Sequence, residues 1–432
     1  MVINSSSQNK KLNSIENKKK EKNHSDEELL NLLLSEKIKL HELDSLSENA
    51  DKIRLVYLEK KLNLSLDGIS KSILSLEDCK GNIENLIGTC QIPLGISGPV
   101  LINGNYAKGF FYLPLATTEG ALVASVNRGC KIINQSGGAK TIILSNEQTR
   151  SLLFKSNDIY ELKEFSDWIE QNFETLKKIG EETSNHIEIK KIETYILGLN
   201  IWLRLKAFTN EAMGMNMITI AGKKIADYII ENYIKKEHKS IIFISESGNL
   251  CVDKKPSFMN LINTRGKKVI ASININEKDI NEILKTTSDK LIDINYRKNL
   301  LGSAFAGSLG FNAHFANIIA AMFLATGQDL AHVVDGSLGF TTIEKIENQN
   351  NKNKSTINIS ITIPSLQVGT IGGGTKLKTQ KECLSILSCE GKNSSLKLAE
   401  IIAVAVLAGE ISLLSALTTK ELAEAHKKLN RK

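Results

Sequence analysis

The chain reads as an α+β fold: a large mixed domain interrupted by an inserted domain and preceded by a small helical one. Three observations lead there. Residues 115 to 130, LATTEGALVASVNRGC, build one helix almost wholly from small residues. Residues 151 to 243 then change character and mix helices with short alternating strands. Residues 396 to 419 return to a strongly apolar helical stretch suited to the core of the larger domain. The expected partition is a basic arm at 1–24, a helical domain at 25–80, the large domain at 81–150 and 244–432, and the insertion at 151–243.

The arm carries KKKEK among Asn and Ser, a composition too polar to bury a core. Ser25 followed by Glu28 is a capping-box pattern that opens a helix over 26–35. A second helix is expected over 49–61. From Asn82 to Leu115 the chain is Gly-rich and extended, with Pro93, Pro99 and Pro114 as punctuation. The small-residue helix follows, with Thr117 or Thr118 as its cap and Glu119 in its first turn. Within the insertion, 158–179 and 221–235 read as helices, and 187–196, 199–207 and 241–245 as strands. ENQNNKNKS at 347–355 reads as a hairpin tip between strands at 340–346 and 356–363.

Composition narrows the function. At 432 residues, 41% apolar and 24% charged, the chain is long enough for a large core. The net charge of +7 gathers in the arm, where no aromatic residues interleave the lysines, so nucleic acid is not an expected partner. Six cysteines (79, 90, 130, 251, 383, 389) show no CxxC and no paired His spacing. They point to a reducing, cytoplasmic setting and no metal. The longest apolar run, Ile401 to Gly409, is too short to cross a bilayer, so no membrane is expected. Only seven Arg stand against 48 Lys, which gives weight to Arg128, Arg150 and Arg265 in the unusual segments.

Six segments can carry chemistry. Glu119 stands at the head of the small-residue helix, with Asn127 and Arg128 two turns on; a core helix with an acid on its dipole fits equally well. SGNLCVDKKP at 247–256 sets Asp253 beside Lys254 and Lys255, either a charged turn or a loop with one lysine in a cleft to hold an oxyanion. EAMGMNM at 211–217 is either core filler or a soft surface for a flat ring. GTIGGGT at 369–375 is a tight turn or a row of backbone N–H groups for phosphate, but it is not a P-loop, and no GxGxxG occurs. Asp329 follows Gly327 at a helix C-terminus, where the dipole raises a carboxyl pKa unless a lysine reverses it. His426 lies in a charged C-terminal helix.

Taken together, ENLIGTCQIPLGISGPV, LATTEGALVASVNRGC, EAMGMNM, SGNLCVDKKP, NLLGSAFAGSLGFNAHFANI, ATGQDLAHVV, IPSLQVGTIGGGT and AHKKLNR, in that order over residues 84–431, resemble the class I, archaeal-like 3-hydroxy-3-methylglutaryl-CoA (HMG-CoA) reductases. The resemblance implies NADPH-dependent reduction of HMG-CoA to mevalonate through a hemithioacetal and mevaldehyde. It implies Lys254 at the oxyanion, Glu119 as proton donor, Asp329 tuning both, and His426 protonating the departing CoA thiolate. Arg150, Ser247, Asp253, Lys255, Asn317 and Lys298 would meet the HMG carboxylate, and Asn127 and Arg128 the CoA. Glu211, Met213, Gly214, Met215, Asn216, Ser184, Asn185, Gly372 and Gly373 would face NADPH. The insertion would be a ferredoxin-like cofactor domain, and the protein a homodimer or homotetramer with active sites between subunits.

The chain departs from the family pattern at Glu211, where Asp is usual, and at Asn185 in ETSNH, where an Arg is usual. The second change removes a contact to the NADPH 2′-phosphate that Thr183, Ser184 and nearby lysines would replace, so NADH stays open. The resemblance also leads us to expect neither the phosphorylatable C-terminal serine nor the membrane anchor of eukaryotic relatives. The alternatives are mevalonate oxidation with NAD on the same fold, and a non-catalytic CoA-ester-binding relative.

Overall fold

A computed structural model describes residues 24–346 and 356–419, so the basic arm, the expected hairpin tip and His426 lie outside the described residues. The described chain falls into two compact units, parted between Ile92 and Pro93.

In the first unit, helices α1 (Asp26–Leu34) and α2 (Ala50–Leu62) enclose Leu29, Leu30, Leu33, Leu43, Ala50 and Ile53. The capping box forms as expected: Ser25 Oγ accepts from Glu28 N and Glu28 Oε2 from Ser25 N. Arg54 is wholly buried but paired with Asp44 at 2.5 Å and donating to Leu40 O.

The second unit is built on a mixed sheet. Its main path pairs β2 (Lys108–Ala116), β1 (Leu94–Asn103), β3 (Ala139–Lys155), β7 (Gly266–Asn276), β10 (Thr356–Leu366), β9 (Gly339–Ile346) and β8 (Gly310–Phe311) in that order. The long strand β3 serves two sheets. Residues 140 to 147 pair with β7, and residues 148 to 155 pair with β5 (Asn200–Phe208). That second half also pairs with β6 (Ile242–Ser245), while β4 (Glu188–Leu197) flanks β5, giving the order β4-β5-β3-β6. Three helices accompany this second sheet: α4 (Ile159–Gln171), α5 (Phe173–Glu181) and α6 (Met215–Ile229). It has a hydrophobic core of its own, centred on Leu152, Phe154, Phe165, Leu203 and Ile225.

One correction concerns α6. It begins at Met215, six residues before the expected 221, because Gly214 takes a left-handed φ of +92° and turns the chain straight into the helix without a side-chain cap. Met215 to Met217 are therefore the first helical turn.

The larger core gathers around α9 (Ser394–Thr419), with α3 (Leu122–Gln135) and α7 (Phe315–Thr326) beside it and α8 (Lys378–Ile386) near the end of α7. The small residues of α3 explain its packing. A Cβ on Gly129 would lie 2.0 Å from the Ala408 carbonyl oxygen, so the two helix backbones touch there. The expected threonine cap does not form. Ala121 takes the N-cap in a left-handed conformation, and Thr117 Oγ1 instead accepts from Glu119 N in the preceding turn.

Helix α9 is long and apolar enough to cross a membrane by length and composition, a property the nine-residue run at 401–409 did not reveal. It is packed in the core, 83% buried over its most apolar window. Its two buried acids show why it belongs there. Glu400 accepts from Asn105, Tyr106 and Ala107 N, and Glu410 from Ala313 and His314 N and Thr341 Oγ1. A buried carboxylate is tolerable only when several donors meet it, and here they pin two loops to the helix.

Candidate active site

The segment 249–254 is the most contorted stretch of the second unit. Asn249, Val252 and Lys254 all have φ between +49° and +64°, a region a β-branched valine avoids. The loop is held from outside: Thr149 Oγ1 donates to Cys251 O, and Asn260 Nδ2 to Val252 O. Asp253 binds Arg265 at 2.9 Å, and Lys254 N donates to Asp335.

This loop aims Lys254 at Asp329, with Nζ 2.8 Å from Oδ2. Asp329 comes from the far end of α7, where Gly327 closes the helix in the left-handed conformation. Its other oxygen, Oδ1, accepts from Ala331 N. Burial pushes the Asp329 pKa up. The bond from Lys254, the His332 ring, the Ala331 N–H and the Lys254 charge together outweigh it, so the carboxyl titrates below the ordinary aspartate range. The rise expected from the helix dipole is reversed, as a nearby lysine should do.

Behind this pair lies a charged cluster. His332 is wholly buried; its Nδ1 lies 3.0 Å from Asp335 Oδ2 and its Nε2 3.6 Å from Asp329 Oδ2. Arg265, also wholly buried, reaches Asp253 at 2.9 Å and Asp335 at 3.1 Å. Asp253, His332 and Asp335 set three donor atoms within 4.8 Å of one another, a spacing that could hold a metal, but the Arg265 guanidinium already lies against both carboxylates. His332 and Asp335 escaped the sequence reading. The signal was the spacing D-x-x-H-x-x-D at 329–335, which brings three polar groups to one side of a turn. Arg265 was visible only through the scarcity of arginine.

Glu119 is exposed in the turn before α3 and accepts from Asn317 Nδ2 at 3.1 Å. Asn317 stands in the first turn of α7 and Asp329 beyond its last, with roughly 14 Å of helix between Asn317 and Thr326. One chain thus places Glu119 and the Lys254–Asp329 pair at opposite ends of α7.

The other expected substrate residues are spread over these elements. Arg150 on β3 is half-buried and donates to Glu246 O, beside the exposed Ser247. Lys255 stays exposed and folds back on Asp253 O, so the two lysines do point apart. Lys298 lies in a π-helical stretch, Asn295–Gly302. Burial lowers its pKa, and Glu410 opposes that fall. Asn127 Oδ1 accepts from Gly98 N at the edge of a 460 Å³ cleft also lined by Pro99, Cys130, Lys131 and Asn134. The Arg128 guanidinium is bound to Ser412 of α9 through Nε and Nη2.

The two segments expected to face a cofactor are brought together. Ala212 bridges Ile371 in parallel fashion, and Thr370 N donates to Glu211 O. The approach requires Gly369, whose Cβ would lie 2.4 Å from Met213 N. Gly214, Met215 and Asn216 form the N-terminus of α6, and Cβ atoms on Gly372 and Gly373 would meet nothing within 4 Å. Met213 O accepts from Gln148 Nε2. Gln328, next to Asp329, accepts from Gly369 N, joining this junction to the lysine cluster. The Glu211 carboxylate is turned elsewhere: it accepts from Asn393 and Ser395 N, capping the central helix α9. Ser184 and the exposed Asn185 occupy the turn between α5 and β4.

A mixed α/β protein that holds a lysine ammonium on a carboxylate, next to an open glycine junction at a helix N-terminus, presents groups of the kind that can meet an oxyanion and a phosphate-bearing ligand. The chain belongs to the hydroxymethylglutaryl-coenzyme A reductase family, whose model matches residues 50–431. It is 48% identical over 408 residues to the 3-hydroxy-3-methylglutaryl-coenzyme A reductase of Methanocaldococcus jannaschii, covering 94% of this chain and 99% of that one. It is 46% identical over 414 residues to the Aeropyrum pernix enzyme, covering 94% and 96%. The fold is similar to that of the reductase of Streptococcus pneumoniae, with a TM-score of 0.60 at 17% identity over 88% of this chain and 99% of that one. It is also similar to the class II reductase of that organism bound to NADPH in open conformations, with a TM-score of 0.58 at 17% identity over 88% and 100%.

Proposed function

We propose that this chain reduces (S)-HMG-CoA to mevalonate and CoA through mevaldehyde, in two hydride transfers, feeding isoprenoid synthesis in the cytoplasm. The observation that carries the proposal is the Lys254–Asp329 pair, an ammonium fixed at 2.8 Å on a contorted loop. Bound NADPH supplies the hydrides. Lys254 holds the negative charge that develops on the thioester and then on the aldehyde oxygen, and Asp329 keeps the lysine charged and aimed. Glu119 donates a proton. His426 protonates the leaving thiolate, a task suited to an imidazole near neutral pH.

Arg150, Ser247, Asp253 and Lys255, with Asn317 and Lys298, would hold the HMG carboxylate; Asn127 and Arg128 would line the CoA. The cofactor fits the glycine junction. The N-terminus of α6 at Gly214, Met215 and Asn216 offers N–H groups to a pyrophosphate, and Gly372 and Gly373 leave space for it. The sheet order β4-β5-β3-β6, in a β-α-β-β-α-β succession whose first helix is split into α4 and α5, supports reading residues 151–243 as a ferredoxin-like cofactor domain. Ser184 and Asn185 would lie near the 2′-phosphate, with Met213 lining the ring. With its carboxylate on α9, Glu211 would act by holding that loop in place.

The separation of Glu119 from Lys254 supports an active site completed by a second subunit, in a homodimer or homotetramer. The outer face of β1, β2 and β3 exposes Leu94, Ile96, Phe110, Tyr112, Ile142 and Leu144, a patch suited to such an interface. An assay of HMG-CoA reduction with NADPH and with NADH tests the function. Substrate-dependent oxidation of either nucleotide supports it, and its absence from well-folded protein refutes it.

A further inference from the structure

We propose that His332 is a positioning residue that carries a proton on both ring nitrogens and thereby keeps Asp329 a carboxylate against Lys254. The argument begins with what faces the imidazole. Nδ1 is within hydrogen-bond distance of Asp335 Oδ2, at 3.0 Å; Nε2 makes no hydrogen bond and stands at ion-pair distance from Asp329 Oδ2, 3.6 Å, and Asp253 Oδ1, 3.7 Å. Both nitrogens look at carboxylate oxygens. A neutral imidazole must present one lone pair, which would point here at negative charge. With two N–H groups, both sides are attractive.

The charge count agrees. The cluster holds three carboxylates, Asp253, Asp329 and Asp335, against two other cations, Lys254 and Arg265. It is one positive charge short, and its deepest members, His332, Asp335 and Arg265, are all wholly buried. A net charge in such a place is costly, and a second proton on His332 cancels it. The ring then acts through Asp329: its charge favours the ionised carboxylate, which in turn holds the lysine as an ammonium between the two reduction steps.

The protonation part stands without reference to the substrate; the kinetic part rests on the reductase reading. The test uses the full-length chain labelled with ¹⁵N-histidine, with His332→Gln to assign the resonance. At neutral pH both His332 ring nitrogens should show shifts of the protonated type. Asp335→Asn, which equalises carboxylates and cations, should return one nitrogen to the unprotonated type at the same pH. An unprotonated nitrogen in the unaltered protein overturns the proposal, as does an Asp335→Asn variant whose ring shifts stay unchanged. On mevaldehyde, His332→Gln should lower kcat about tenfold or more with KM for NADPH unchanged, since the ring orients a reacting group without touching it. If that variant does not fold, the His332 resonance is assigned by its response to Asp335→Asn, and a spectrum in which no ring nitrogen responds overturns the proposal. Doubly protonated His332 in a protein without reductase activity would refute the reductase reading alone.

Discussion

Lys254 Nζ and Asp329 Oδ2 stand 2.8 Å apart although 75 residues separate them in the chain, and each is placed by strained or terminal backbone: a left-handed φ at Lys254, and the end of α7 at Asp329. The pairing has a consequence for acid stability. The folded Asp329 pKa lies below its unfolded value, so the stabilisation is fully present above the unfolded value of about 3.9 and is lost as pH falls through the folded value. Denaturation of the native chain and of Asp329→Asn should therefore differ most at neutral pH and converge in strong acid. A difference that grows on acidification would contradict the pairing.

Gly129→Ala should destabilise the protein by about 1–3 kcal/mol, the usual cost of forcing a methyl into a packed contact. The added carbon would meet the Ala408 carbonyl at 2.0 Å, and neither helix can yield by rotating a side chain. Urea denaturation measures it. A neutral effect would mean that α3 and α9 can slide apart freely.

Asn185→Arg should move nucleotide preference towards NADPH. A guanidinium on the exposed turn after α5 can pair with a 2′-phosphate, and a charge-assisted contact is worth roughly 1.5–3 kcal/mol, or about 10- to 150-fold. The ratio of kcat/KM for NADPH and NADH is the readout, with the NADH value nearly constant. A flat ratio would place the phosphate elsewhere.

His426→Gln should slow turnover of HMG-CoA far more than reduction of added mevaldehyde, because only the thioester expels a thiolate in need of a proton. Parallel losses on the two substrates would assign His426 another role.

The sequence showed much of this architecture where local chemistry dictates it. The Ser25–Glu28 box, the small residues of α3, the strands β4, β5 and β6 and the helix end at Gly327 are all short-range signals. The start of α6 was misplaced because a left-handed Gly214 opens that helix and no side chain caps it. Glu211 binds a helix end more than 180 residues away, which no local pattern encodes. The outer members of the site, Lys254 and Asp329, announced themselves by charge beside glycine. The buried ones, Arg265, His332 and Asp335, act only through one another, and the fold alone brings them together.

The most direct test is the rate of NADPH oxidation by Lys254→Ala with saturating HMG-CoA and, separately, with mevaldehyde, on protein whose circular dichroism and oligomeric state match those of the unaltered chain. In the proposed mechanism both reductions place negative charge on an oxygen facing the same ammonium. Both should fall by about 10²-fold or more. Near-normal turnover on either substrate would contradict the assignment of Lys254 as the group that holds the oxyanion.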